Sequence, residues 1–271
     1  MPSPDVVLID DCDGVRTLVL NRPDQLNAFN QALCASLSGA LLAAQSDDSV
    51  RVVVVTGAGR AFSAGTDLYE LAESGDFRGN VDAPHNFERL VDHLAGFTKP
   101  LLCAVNGIAV GLGVTMLGLA DLVFVAETAR FRCPFTSLAL APEAAASVTF
   151  PLLVGRQAAT WMLMSSEWID ATEAQVAGLA WKVVPDAALL TEALDHARRL
   201  AVHPLASLVA SKRLIAATFT RAVAEGRHRE NEAFDMLLRA SESRAAIAAF
   251  ATRHNEDDPI AAVPTTVRER P

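Results

Sequence analysis

The sequence predicts an α/β chain whose C-terminal third is helical, and three observations carry that prediction. Arg51 to Thr56 is an unbroken β-branched run, the composition of a strand buried on both faces. Ahead of it, Asn30 stands where a helix N-cap is wanted, and Leu33, Leu37, Leu41 and Ala44 fall on one helical face. Strand, helix and strand in that order mark an α/β fold. From Gly155 onward the pattern becomes mostly helical.

Taken in order, Val6 to Ile9 and Val15 to Leu20 are short β-prone runs joined by Asp10 to Gly14, a hairpin pattern. The stretch between Lys99 and Asp121 holds no charge and has glycines at 107, 111, 113 and 118. Its length would suit a membrane span. Leu101 to Val105, however, reads as a buried strand closed by the Asn106-Gly107 turn, with Gly111 to Gly113 a loop feeding a helix that begins near Val114. Such a loop aims unpaired helix amides at whatever lies beside it, and glycine lets a ligand come close. A core strand and helix needing glycine only for packing fits the same pattern.

Leu122 to Ala126 and Arg130 to Arg132 are further strands. Gln157 to Met164 and Thr172 to Ala177 read as helices and Trp181 to Val184 as a strand. Ala187 to Val202, Leu205 to Phe219 and Glu225 to Phe250, broken near Ser241, complete a helical tail. Asn255 to Pro259 and the tail beyond Val263 read as loose ends.

A chain of 271 residues, 51% hydrophobic, supplies one large core. The formal charge of −9 and the lack of a basic run argue against a nucleic-acid partner. Cys12, Cys34, Cys103 and Cys133 form no metal or redox spacing and read as reduced core thiols of a cytoplasmic protein. The first residues show no signal-peptide pattern, so neither export nor a membrane partner is expected.

Val55 to Phe62 is glycine-rich and follows a strand, but a dinucleotide fingerprint starting at Gly57 would place Phe62 where a small residue is needed. The only tyrosine, Tyr69, is followed four residues on by Glu73, so a Tyr-x-x-x-Lys pair is absent too. Ala61 to Gly65 resembles a nucleophile elbow around Ser63. None of His85, His93, His196, His203, His228 or His254 sits in a motif that would complete a triad. No cluster has metal-ligand spacing; Asp67, Glu70 and Glu73 read as the polar face of a helix start. Glu143 stands in the otherwise apolar run Leu140 to Ser147. Pro142 and Glu143 suit the first turn of a helix, where the acid would complement the dipole. Equally, a carboxylate in apolar surroundings has a raised pKa suited to moving a proton.

Together these pieces resemble the crotonase superfamily of enoyl-CoA hydratases and isomerases. The resemblance rests on Asn21 to Phe29, Val54 to Leu68, Lys99 to Leu122, and Trp168 to Val184, in order, over residues 5 to 254. It implies a crotonase (ClpP-like) fold, a ββα spiral core over residues 1–200 with a helical C-terminal region over 201–271, assembled as a homotrimer or hexamer. It implies an acyl-CoA thioester substrate, with coenzyme A part of that substrate and no further cofactor. It implies stabilisation of a thioester enolate by two backbone amides, here those of Thr66 and Leu112. By the same resemblance Gln25, Leu26, Ala28, Ser63, Ala64, Gly65, Asp67, Leu68, Gly111 and Phe135 belong to the substrate site. Phe234 and Phe250 fall where relatives place a subunit-contact or tail-lining aromatic.

The departures narrow the chemistry. Hydratases of the family place water with two glutamates, one three residues after Leu112 and another twenty residues later; here those positions are Thr115 and Phe135. The run Phe131 to Pro151 instead resembles the peroxisomal-type Δ3,Δ2-enoyl-CoA isomerases, in which a Pro-Glu carboxylate shuttles a proton between C2 and C4. Glu143 matches that residue. A Δ3,Δ2-enoyl-CoA isomerase is therefore expected, with a hydratase-like reaction or a non-catalytic acyl-CoA binder as alternatives. A binder has no use for a buried carboxylate at Glu143.

Overall fold

The computed structural model describes residues 5–70 and 86–253, with side chains to residue 249. Two sheets share the work. The larger has six strands in the order β1 (Val7–Cys12), β2 (Val15–Leu20), β3 (Val52–Gly57), β5 (Leu101–Val105), β7 (Leu122–Ala126) and β10 (Lys182–Val184). All neighbours are parallel except β1 and β2. The smaller has four strands in the order β4 (Ala61–Ser63), β6 (Ile108–Val110), β8 (Arg130–Arg132) and β9 (Trp168–Asp170). The chain repeats one step: a strand in the large sheet, a tight corner, then a strand in the small one. β3 leads to β4, β5 to β6 and β7 to β8. This is the ββα spiral, and it shares one core with the flanking helices.

The corners explain two glycines. A Cβ on Gly57 would lie 2.3 Å from the Ala61 carbonyl oxygen, and one on Gly107 would lie 2.2 Å from that of Arg60. Both are backbone contacts that cannot yield, so the turn from one sheet to the next admits no side chain there.

The hairpin is tighter than the sequence suggests. β1 runs on to Cys12, and the turn is the pair Asp13 and Gly14, both with positive φ (53° and 77°). That is the two-residue turn that matches strand twist. The longer first strand leaves Cys12 exposed rather than in the core, whereas Cys34, Cys103 and Cys133 are buried. Helix α1 (Gln31–Ser46) starts at Asn30, whose side chain accepts from the Leu33 amide. A helix α2 (Asn86–Ala95) packs on α1 and has no counterpart in the sequence reading. The glycine loop turns into α3 (Leu112–Thr115) two residues earlier than expected, continuing as a 3-10 turn to Leu119. The Lys99 to Asp121 stretch is thus two strands and a short helix. Among the described residues no single helix is long and apolar enough to cross a membrane.

Helix α4 (Ala146–Met164) starts eleven residues before the expected Gln157, bends at Gly155 (φ 76°, ψ 159°) and carries Pro151. α5 (Ala171–Ala177) opens on a capping box between Asp170 and Glu173. α6 (Leu189–Ala201) lies against β3, β5 and β7. α7 (Leu205–Ala217), α8 (Thr220–Leu238) and α9 (Ser241–Arg253) form the helical tail; the break expected near Ser241 falls between α8 and α9, and α8 starts five residues before Glu225. Glu73, His85, His254 and the tail from residue 254 lie outside the described residues, as does the Phe250 side chain. Phe234 is buried.

Candidate active site

Two loops cross at the C-terminal end of β4 and β6. Gly65 (φ 81°) and Gly111 (φ 50°) sit back to back: a Cβ on Gly65 would lie 2.5 Å from the Val110 carbonyl oxygen. Gly113 is as tight against the other loop, since its Cβ would fall 2.6 Å from the Ser63 carbonyl. Glycine is therefore what lets the 64–66 and 111–113 segments touch.

The hydrogen bonding then leaves three amides of these loops unclaimed. Phe29 donates to the Gly65 carbonyl at 2.7 Å and accepts from Asp67 at 3.0 Å, a parallel bridge that turns the Thr66 amide away from Phe29. Gly111 donates to the Arg132 carbonyl, while Val114 and Thr115 donate back to that of Gly111. Leu112, at the first position of α3, has no intrahelical acceptor. Among the described residues no acceptor takes the amide of Thr66, of Leu112 or of its neighbour Gly113. The Leu112 side chain joins the core, so only its amide is offered to the loop crossing.

The first loop is held by Ser63 and Asp67 together with Asn27 and Arg22, which the sequence does not single out. Asn27, fully buried, accepts from the Arg22 amide and donates to the Ala58 and Ala61 carbonyls at 2.8–2.9 Å. Ser63 is fully buried; its hydroxyl donates to the Asn27 carbonyl at 2.8 Å and accepts from the Gly65 amide. The Ser63 side chain thus shapes the loop from inside and is not an exposed nucleophile. Arg22 pairs with Asp67 at 3.0 Å and donates to the Ala28 carbonyl, tying the 22–28 turn to the 64–68 loop. Asp67 also accepts from the Glu70 amide, and Glu70 from that of Gln31. These acids cap helix starts rather than forming a free polar face. Gln25 is exposed, Leu26 and Ala28 are buried, and Ala64 and Leu68 are half-buried. Phe135 lies in the core, where its carbonyl closes the 135–140 turn by accepting from Leu138 and Leu140.

Glu143 comes to the second loop from the other side. It does not sit in a first helical turn: Ala144 and Ala145 both have positive φ (58° and 63°), and α4 begins only at Ala146. Thr115, one turn after Leu112, donates from Oγ1 to Glu143 Oε1 at 2.7 Å. Glu143 Oε2 is buried and has no hydrogen-bond partner among the described residues. Burial pushes this carboxyl up to about 8; the Thr115 hydrogen bond opposes the rise, Glu230 and Glu88 add to it, and Arg227 opposes it. Thr115 Oγ1 also lies 3.3 Å from the Gly111 carbonyl. The hydroxyl can therefore donate to an ionised Glu143, or accept from a protonated one while donating to Gly111. Both protonation states of the acid are served. The thiols of Cys34 and Cys133, which feel the Glu143 charge, are raised by burial and stay protonated. Among the described residues no cluster could hold a metal ion.

The buried Glu143 carboxyl is thus bonded to Thr115, one turn past the unclaimed Leu112 amide. Residues 11–257 match the family model for enoyl-CoA hydratase/isomerase. The chain belongs to that family. It is a crotonase-superfamily acyl-CoA enzyme. A crystal structure of an enoyl-CoA hydratase/isomerase from Pseudoalteromonas atlantica T6c is 35% identical, with a TM-score of 0.85 over 92% of this chain and 97% of that one. An enoyl-CoA hydratase from Mycobacterium marinum is 52% identical, covering 78% of this chain and 99% of that one, with a TM-score of 0.74. Enoyl-CoA delta isomerase 2 of Rattus norvegicus is 34% identical over 91% of this chain and 63% of its own length. Both kinds of chemistry thus occur among the crotonase relatives of this chain.

Proposed function

We propose that this enzyme shifts the double bond of a 3-enoyl-CoA to the 2-position, with Glu143 as the single proton carrier. The carrying observation is the Glu143 carboxyl: buried, held by Thr115 on one oxygen, and open on the other. The ionised acid takes a proton from C2, and the electron pair moves into the thioester to give a dienolate. The amides of Thr66 and Leu112 hold the resulting oxyanion with dipoles already in place. The protonated acid returns the same proton to C4 as the new C2–C3 double bond forms. Nothing is added, so no water need be bound. Thr115 and Phe135, at the positions of the two hydratase glutamates, are unable to activate one.

The deciding assay is incubation with a 3-enoyl-CoA while following the absorbance of the conjugated 2-enoyl thioester. Rapid conjugation supports the proposal. Water addition to a 2-enoyl-CoA at a comparable rate would instead favour hydratase chemistry, to which the 52% identical Mycobacterium marinum protein lends its name.

The titration of Glu143 predicts a pH profile. A base must be ionised to act, and at pH 7 an acid titrating at about 8 is only about one-tenth ionised. kcat/KM, which reports the free enzyme, is expected to climb about tenfold per pH unit below that point and level off above it. A profile flat from pH 6 to 9 would show that another group sets the rate.

The enzyme is also proposed to assemble as a trimer or hexamer. Leu152, Trp161 and Met164 on α4 stand exposed on the single chain, more apolar surface than one helix ordinarily leaves to water. Light scattering that returned a monomer mass would refute it.

A further inference from the structure

The sequence of residues 142–147 favours helix, since a proline followed by glutamate and three alanines suits the first turns of one. The structure withholds that helix until Ala146 and keeps Ala144 and Ala145 left-handed. Each such alanine costs about 1 kcal/mol or more and persists only where the surroundings impose it. Something must therefore hold this segment, and α4 has no side-chain cap of its own.

The holding group comes from α8. Glu230, 5% exposed, accepts from the Ala145 amide through Oε2 and from the Ser147 amide through Oε1, both at 2.7 Å. It does from another helix what an N-cap does from within. The approach is close: a Cβ on Gly226, one turn earlier on α8, would lie 2.4 Å from Val148 Cγ2. α8 is anchored in turn to α2, where Arg227 pairs with Glu88 and Asp92 and Asn231 donates to Glu88.

We propose that Glu230 is a positioning residue for the reaction, keeping Ala144 and Ala145 out of the helix so that Glu143 stays beside Thr115. Released, the segment would relax toward a helix starting at Pro142 and rotate Glu143 away from the loop crossing. The proposal rests on Glu143 being the proton carrier. Among the described residues the charged groups acting on Glu143 are Glu230 and Arg227 from α8 and Glu88 from α2; the Thr115 hydroxyl bonds it, and the Cys34 and Cys133 thiols feel its charge.

The test is Glu230→Gln in the full chain. The amide keeps one acceptor and turns a donor toward the other N–H. With a 3-enoyl-CoA, kcat is expected to fall about ten- to hundredfold, the cost of a slightly misplaced catalytic group, with KM within about twofold of wild type. A second readout needs no turnover: carbon NMR of the glutamate carboxyls, with the Glu143 signal assigned by its loss in Glu143→Gln. Removing a neighbouring acid and admitting water both lower the Glu143 titration, here by about half a pH unit or more. If Glu230→Gln does not fold, Glu230→Asp, too short to reach both amides, is judged by the same criteria. A folded variant with kcat within about twofold of wild type and an unmoved Glu143 titration would overturn the proposal. Wild-type enzyme inert toward 3-enoyl-CoA would remove the isomerase function instead and leave the NMR comparison to decide what Glu230 holds.

Discussion

Glu143→Gln is expected to slow isomerisation of a 3-enoyl-CoA by about 10²–10⁴-fold in kcat with little change in KM, the usual share of a general acid–base group. Glutamine has the same shape and its carbonyl oxygen can still accept from Thr115, so the loop keeps its hydrogen bond. What is lost is the ability to take a proton. kcat within about tenfold of wild type would show that the carrier is another group. The same variant has a stability signature with a defined sign. Burial lifts the Glu143 carboxyl to about 8 in the folded chain from an ordinary value of 4.5. Between those values the unfolded chain releases a proton that the folded chain retains, so wild type loses stability as pH rises through that window. At about 1.4 kcal/mol per unit the loss has an upper bound near 5 kcal/mol. Glutamine has no proton to release. The variant should match wild type in thermal unfolding near pH 4.5 and be more stable at pH 8 to 9. An acid site therefore appears as a stability defect that substitution relieves and activity cannot do without.

The contrast between Glu143 and Glu230 shows what a sequence makes visible. Glu143 interrupts an apolar run, so it stands out. Glu230 lies among Arg227, His228, Arg229, Asn231 and Glu232, a composition indistinguishable from a solvated helix face. Only the fold, by folding α8 back on the start of α4, reveals its two bonds. Thr115 was visible only as a missing glutamate; that its hydroxyl partners Glu143 needs two segments 28 residues apart to meet.

The sheets divide in the same way. β2, β3, β5 and β7 are five- or six-residue runs, apolar or β-branched but for Arg16 in β2, and are legible as strands. β4, β6 and β9 have three residues each, too few for a period of two to show, and sit beside glycine-rich or polar turns. Their pairing is imposed by the corners that the glycines allow. The helix α4 was half-read for a related reason, because Pro151 and Gly155 break its pattern although Ala146 to Phe150 are already helical. The crossing of the 64–66 and 111–113 loops, which makes the site, was legible only through resemblance, since no spacing within either segment points to the other.

Gly65→Ala is expected to cost about 10²–10³-fold in kcat, comparable to losing a preorganised backbone donor. Two penalties fall on one methyl group. At φ 81° an alanine is strained wherever it sits, and here its Cβ would also lie 2.5 Å from the Val110 carbonyl oxygen and 3.4 Å from the Gly111 Cα. Backbone on the far side cannot rotate aside as a side chain would, so the two loops must part. Parting moves the Thr66 amide relative to that of Leu112 while leaving the Glu143–Thr115 pair, in which the first loop takes no part, intact. The rate should therefore fall without the change in pH profile that marks damage to Glu143. Gly155→Ala supplies the comparison: its φ is also strongly positive, at 76°, but beyond its own helix no described residue comes within 4 Å of the new methyl. It should lose stability in thermal unfolding and keep its kcat. Equal losses of kcat in the two variants would mean that backbone strain alone, and not the approach of the two loops, accounts for the effect.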